Sequence, residues 1–323
     1  MLLRLFTQNN RGLLLVYPLI SVLVMLLLWK LDKTSPQTVV LYASDYIFNT
    51  GQNFGFLTFS LGTLVIACIT WLMNSAFNNS ELYFQPSYLV GFLASLVFAV
   101  GFYKHPALNC LLSQLFLTIG LYFALKIQNQ KRIYSSVFLA QLSVGISICL
   151  FPQNIGFLIA IPMILILNRS FSFKELFFGI VTCVIPLIYW ISYSYLTNQM
   201  NDWFFWMPKK DNWGALNFLS SLFFWICSLS LGVSVLSIFK KENRQTNKTQ
   251  QAKNTILLFL TSSIASWAIC YLIREPFTLY NFSLPFVMVA GYYWTHYRVS
   301  LLAPFVFYTW LLFLILFAFN LIH

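Results

Sequence analysis

Residues 176–196 read LFFGIVTCVIPLIYWISYSYL, a run with no charged side chain. As a helix it rises about 1.5 Å per residue, so its length is close to the roughly 30 Å of bilayer hydrocarbon. The run is continuously apolar, whereas a barrel strand alternates. In hydrocarbon every backbone N–H and C=O must be bonded within its own segment or in a closed barrel, so this stretch selects a helix.

Similar runs occupy 13–29, 56–73, 88–103, 107–127, 135–150, 155–167, 216–239, 255–273, 277–294 and 301–322. The chain of 323 residues is 59% apolar and only 8% charged, with mean hydropathy +0.75. The expected fold is all-α: one integral membrane domain, 1–323, forming a polytopic bundle of about eleven spans. Positive charge ahead of 13–29 resembles a signal peptide. The run is long, however, and is followed by Lys30, Asp32 and Lys33 instead of a small-residue cleavage site, so it reads as a retained first span. Runs 135–150 and 155–167 are short and separated only by Phe151-Pro152-Gln153-Asn154. They fit two full spans lengthened at their ends, or a helix pair that only partly enters the bilayer.

Charge gives the orientation. With the N-terminus cytoplasmic, Arg4, Arg11, Lys126, Lys131, Arg132, Arg169, Lys174, Lys240, Lys241, Arg244, Lys248, Lys253 and Arg298 fall inside. Lys30, Lys33, Lys104, Lys209, Lys210 and Arg274 fall outside. The positive-inside rule prefers this sense, in which anionic headgroups explain a net charge of +11 without nucleic acid. The acids, on which that rule does not rest, are asymmetric too. Asp32, Asp45, Asp202, Asp211 and Glu275 lie outside, against Glu81, Glu175 and Glu242 inside. The external segments, chiefly 30–55 and 197–215, thus mix signs. Residues 240–254, KKENRQTNKTQQAKN, show no apolar face and read as a mobile cytoplasmic linker. All six cysteines fall in apolar runs without CxxC spacing, which predicts buried free thiols.

Four external places carry groups suited to chemistry. Segment 30–55 holds Asp45 beside an apolar stretch, with Asp32 in reserve; either carboxylate suits a general base or a ligand for a divalent metal. Lys104 and His105 form a turn before Pro106, where a phosphate or proton could be handled. Arg274 and Glu275 adjoin long apolar runs, where charge is costly unless it is paired or lines a polar cavity. Residues 197–215, TNQMNDWFFWMPKKDNWGA, combine Asp202, Lys209 and Lys210 with Trp203 and Trp206; aromatic faces stack on sugar or prenyl chains and lysines meet phosphate. Each place also reads as a solvated turn, an ion pair or an aromatic belt. No Walker loop, GxGxxG, HExxH, GxSxG or metal-spaced Cys/His cluster occurs, and no cofactor is identified. Gln114, Gln141 and Asn154 are uncharged polar groups within spans, and no mid-span ionisable residue favours a proton-coupled transporter.

Residues 135–191, SSVFLAQLSVGISICLFPQNIGFLIAIPMILILNRSFSFKELFFGIVTCVIPLIYWI, resemble an uncharacterised family of bacterial multi-pass inner-membrane proteins. The layout also resembles, more remotely, the glycosyltransferase-C superfamily of polyprenol-phosphate-sugar-dependent enzymes. That resemblance implies a catalytic carboxylate in the first long external loop, at Asp45, with membrane lipid and a polyprenol-phosphate-linked sugar as partners. The chain departs from that pattern in having no paired-acid motif there and no soluble domain after the spans. Three functions follow as expectations: a glycosyltransferase or related envelope-glycan enzyme at the external face, a non-catalytic scaffold or subunit of an envelope complex, and a transporter or flippase.

Overall fold

A computed structural model of the chain describes residues 13–31, 56–80, 82, 87–104, 108–127, 134–168, 173–196, 222–239, 246–273, 279–296 and 302–318. Among them every regular element is helical. In order these are α1 (Leu13–Leu31), α2 (Phe56–Asn79), α3 (Leu89–Lys104), α4 (Leu108–Ile127), α5 (Tyr134–Leu150), a 3-10 helix (Pro152–Ile159), α6 (Ala160–Asn168), α7 (Phe173–Leu196), α8 (Leu222–Phe239), α9 (Asn247–Ile273), α10 (Leu279–His296) and α11 (Leu302–Ala318).

Each of the eleven apolar runs carries a helix. Three stretches, Thr58–Asn79, Leu108–Ile127 and Phe173–Tyr193, are long and apolar enough to cross a membrane. The other described helices are shorter or more polar, so the structure supports an all-helical membrane protein with three clear span candidates.

The centre of the bundle is α3 with α10. Helix α3 packs against α1, α2 and α10, and α10 also meets α8 and α9. Nearly every described side chain of this pair is buried. An aromatic cluster seals α10 against α11: Phe286 stacks on Trp310 at 5.2 Å, and Trp294 meets Phe307 edge-on at 5.1 Å. Tyr17 of α1 donates its hydroxyl proton to the Tyr88 carbonyl at 2.5 Å, fixing α1 at the start of α3.

Outward faces are apolar as well. Leu19, Leu64, Trp71, Leu229 and Phe305 are exposed, and Leu196 reaches 80%. Large apolar side chains on both sides of a helix suit hydrocarbon, since exposing them to water would cost about 25 cal/mol per Å².

The sequence expectation of a linker at 240–254 and the structure differ at 247–254, while 240–245 lie outside the described residues. Residues from Asn247 onward are the first turns of the 27-residue α9. Thr246 explains the start, because its Oγ1 accepts the Thr249 N–H at 3.2 Å and so satisfies one of the four free donors of a helix N-terminus. No glycine or proline interrupts the register between there and the apolar stretch that follows.

Candidate functional site

Asp32, Asp45, His105, Asp202, Trp203, Trp206, Lys209, Lys210, Arg274 and Glu275 lie outside the described residues. Lys104 closes α3, but its side chain is likewise outside the described set. Among the described residues, chemistry-bearing groups gather instead around the break between α5 and α6.

Two prolines create that break. Pro152 occupies the first position of the 3-10 helix, where its missing N–H is not needed. Pro162, third in α6, has no N–H for the Leu158 carbonyl and its ring conflicts with that carbonyl, so the two helices cannot merge into one regular α-helix. A 3-10 run of eight residues is long for its type. At about 2.0 Å per residue, followed by nine residues at about 1.5 Å, the segment measures roughly 30 Å, and it belongs with the shorter apolar helices and not with the three clear span candidates.

Polar contacts hold the segment in place. Asn154 Nδ2 donates to Ser113 Oγ of α4 at 2.8 Å and to Ser147 Oγ of α5 at 2.9 Å. All three residues are buried. The Gly156 N–H donates to Ser266 Oγ of α9 at 3.0 Å. Glycine is required here: a Cβ at 156 would sit 2.5 Å from both the Ser262 carbonyl oxygen and the Ser266 nitrogen. Further along, Phe157 packs on Phe259 with ring centroids 5.7 Å apart. At the far end Asn168 Nδ2 donates to the Gln251 carbonyl and to Thr255 Oγ1, each at 3.2 Å. Gln251 Nε2 donates to the Asn168 carbonyl at 2.9 Å, and Asn254 Nδ2 to Asn168 Oδ1 at 3.3 Å. Irregular backbone at membrane depth survives only where protein or a polar cavity satisfies it, and these contacts do so.

The opposite face of the α5 end lines a groove. Helices α5 and α7 touch at Gly145, where any Cβ would lie 2.5 Å from the Cys183 carbonyl oxygen and 3.0 Å from Pro186 Cγ. Beyond that contact they leave a groove of about 500 Å³ lined by Ile146, Cys149, Leu150, Pro186, Tyr189, Trp190 and Tyr193. Pro186 lies inside α7 and deletes the helical hydrogen bond to the Thr182 carbonyl at this level. Tyr189 is 74% exposed, so the groove opens on the outer surface of the bundle.

The structure adds two features to the sequence reading. Lys253, placed in the linker by composition, is 1% exposed and has its Nζ 5.1 Å from the Tyr292 ring centroid. His296 stacks on the same ring at 4.1 Å. The uninterrupted register after Thr246 was the signal that Lys253 belongs to a helix. Gln114 and Gln141 are buried, and neither side-chain amide has a hydrogen-bond partner among the described residues.

The cysteines conform to expectation where described. Cys68, Cys110, Cys149, Cys183 and Cys227 are free, and all but Cys68 are buried. Among the described residues no three His, Cys, Asp or Glu side chains gather to hold a metal. No protein-family model, curated protein or solved structure matches the chain.

Proposed function

We propose that the protein is a bacterial inner-membrane enzyme of about eleven spans that transfers sugar from a polyprenol-phosphate carrier at the external face. The observation that carries this reading is the groove between α5 and α7. Its lining is apolar and aromatic, and it opens where α7 presents Ile188 and Tyr189 outward, so its natural occupant is a hydrocarbon chain entering sideways from the bilayer. By the positive-inside orientation, the groove lies in the external half of the membrane, on the side of segments 30–55 and 197–215.

In this reading the prenyl chain lies in the groove and its phosphate faces the external segments. Lys104, Lys209, Lys210 and Arg274 hold the phosphate and stabilise the charge that develops as it departs. Asp45 accepts the proton of the acceptor hydroxyl, with Asp32 in reserve, and a divalent metal fits the same carboxylate. Trp203 and Trp206 pack on sugar or prenyl, and His105, Asp202 and Glu275 complete the polar wall.

The test combines both halves of the site. Asp45→Asn, Lys104→Met, Arg274→Gln and the groove-filling Cys149→Trp are each expected to deplete envelope glycan at normal protein levels. Normal glycan from stably expressed variants refutes the enzyme. A second reading, a scaffold subunit of an envelope complex, is favoured by α7, which packs mainly on α5 and α6 and leaves most of one flank uncovered. It predicts normal glycan chemistry in those variants, with loss of a co-purifying membrane partner on substituting Phe177 and Ile188. The transporter or flippase reading gains only Lys253, which lies two turns from the start of α9.

A further inference from the structure

The segment Pro152–Asn168 stands on α9 at two separate footings with a joint between them. One footing is Asn168, tied to Gln251, Asn254 and Thr255. The other is the 3-10 helix, held by the Gly156 N–H on Ser266 Oγ, by Phe157 on Phe259, and by Asn154 on Ser113 and Ser147. Between them the chain stays helical, the Ala160 N–H bonding the Phe157 carbonyl, but Pro162 has no N–H for the Leu158 carbonyl. Cover there is one-sided: Ala160 and Ile161 are buried, whereas Leu158 is half-buried, Ile159 57% and Met163 38% exposed.

We propose that the 3-10 helix is a latch that leaves α9 as a unit, pivoting at Leu158–Pro162 while α6 stays docked. The hydrogen bonds of a 3-10 helix are poorer in geometry than those of an α-helix, so the internal bonds of this half are the weaker ones and it depends on its contacts with α9, Ser113 and Ser147. Its release reaches the groove through covalent continuity. Phe151 joins the 3-10 helix directly to Leu150, and Ser147, one of the latch contacts, lies on the same turn as Ile146, Cys149 and Leu150 of the groove wall. An open latch frees that last turn of α5, and a closed one fixes the groove's shape. The device depends on packing alone, not on sugar transfer, so it stands or falls separately from the enzyme reading.

Hydrogen–deuterium exchange of the detergent-solubilised protein tests it. Amides of 153–159 are expected to exchange together and faster than those of 163–168 in the same molecule. Ser266→Ala should accelerate the first group about fivefold, the worth of one hydrogen bond of ordinary net strength, and leave the second unchanged. Ser266→Thr keeps the hydroxyl and should restore the original rates. Cys149 should become more reactive to a membrane-permeant maleimide in Ser266→Ala, whereas Cys110, buried in α4, should not. Exchange of 153–168 as one block in the unmodified protein overturns the latch. Faster exchange with unchanged Cys149 reactivity overturns its link to the groove.

Discussion

The contact at Gly145 allows the packing of α5 on α7 to be weighed against an internal control. In Gly145→Ala the new Cβ would lie 2.5 Å from the Cys183 carbonyl oxygen, about 0.9 Å short of an ordinary 3.4 Å contact. The obstacle is backbone and cannot rotate away, so the helices must part by nearly that amount. Overpacking of this kind costs about 1–3 kcal/mol, while replacing a helix-interior glycine by alanine returns up to about 1 kcal/mol. Gly232, inside α8, has nothing within 4 Å of its Cβ position. Gly232→Ala therefore receives the propensity gain alone, and the two variants should differ by about 1–3 kcal/mol, with Gly232→Ala the more stable. Unfolding in mixed detergent–dodecyl sulfate micelles, followed by tryptophan fluorescence, measures the difference. Equal stability, or a Gly145→Ala protein more stable than Gly232→Ala, would refute the close crossing and with it the origin assigned to the groove.

Other outcomes follow from named contacts. Asn154→Ala removes two buried hydrogen bonds and should lower stability by about 1–2 kcal/mol in the same assay, given an average near 0.6 kcal/mol for each such bond in a membrane. Gln141→Leu should be neutral or stabilising by about 1 kcal/mol, because it removes a buried amide without a partner among the described residues and keeps its bulk; a clear loss would show that the amide is bonded. Thr246→Val should fray the start of α9, with a cost of about 1 kcal/mol confined to exchange of amides 247–250. For orientation, a cysteine at Asn212 should react with an impermeant thiol reagent in intact spheroplasts and one at Asn247 should not; the reverse labelling would invert the map.

Apolar run length placed the helices well, since the bilayer makes a periodicity-independent demand for some 20 apolar residues. It served poorly at polar helix starts. The stretch 247–254 contains Lys248, Gln250, Gln251 and Lys253, which by composition resemble solvated chain. Their helical state depends on the Thr246 cap and on partners more than 80 residues away, such as Asn168. Hydropathy cannot see a contact of that range. Pro152 marked a turn in the sequence, but nothing local announced an eight-residue 3-10 helix, whose Gly156 is held by α9. The charged candidates from Asp32 to Glu275 came from sequence chemistry alone.

By itself the sequence determined an all-helical chain with apolar runs suited to a membrane, the position of those runs and the charge asymmetry from which an orientation is expected, because these depend on local composition and on the solvent. Tertiary structure alone decided which helices are central, that Lys253 is buried beside Tyr292, and that α5 has a hydrogen-bonded face toward Asn154 and a groove toward α7. Those features arise where residues distant in the chain meet: Gly145 with Cys183, and Gly156 with Ser266. A helix face acquires its meaning from the neighbour it packs against.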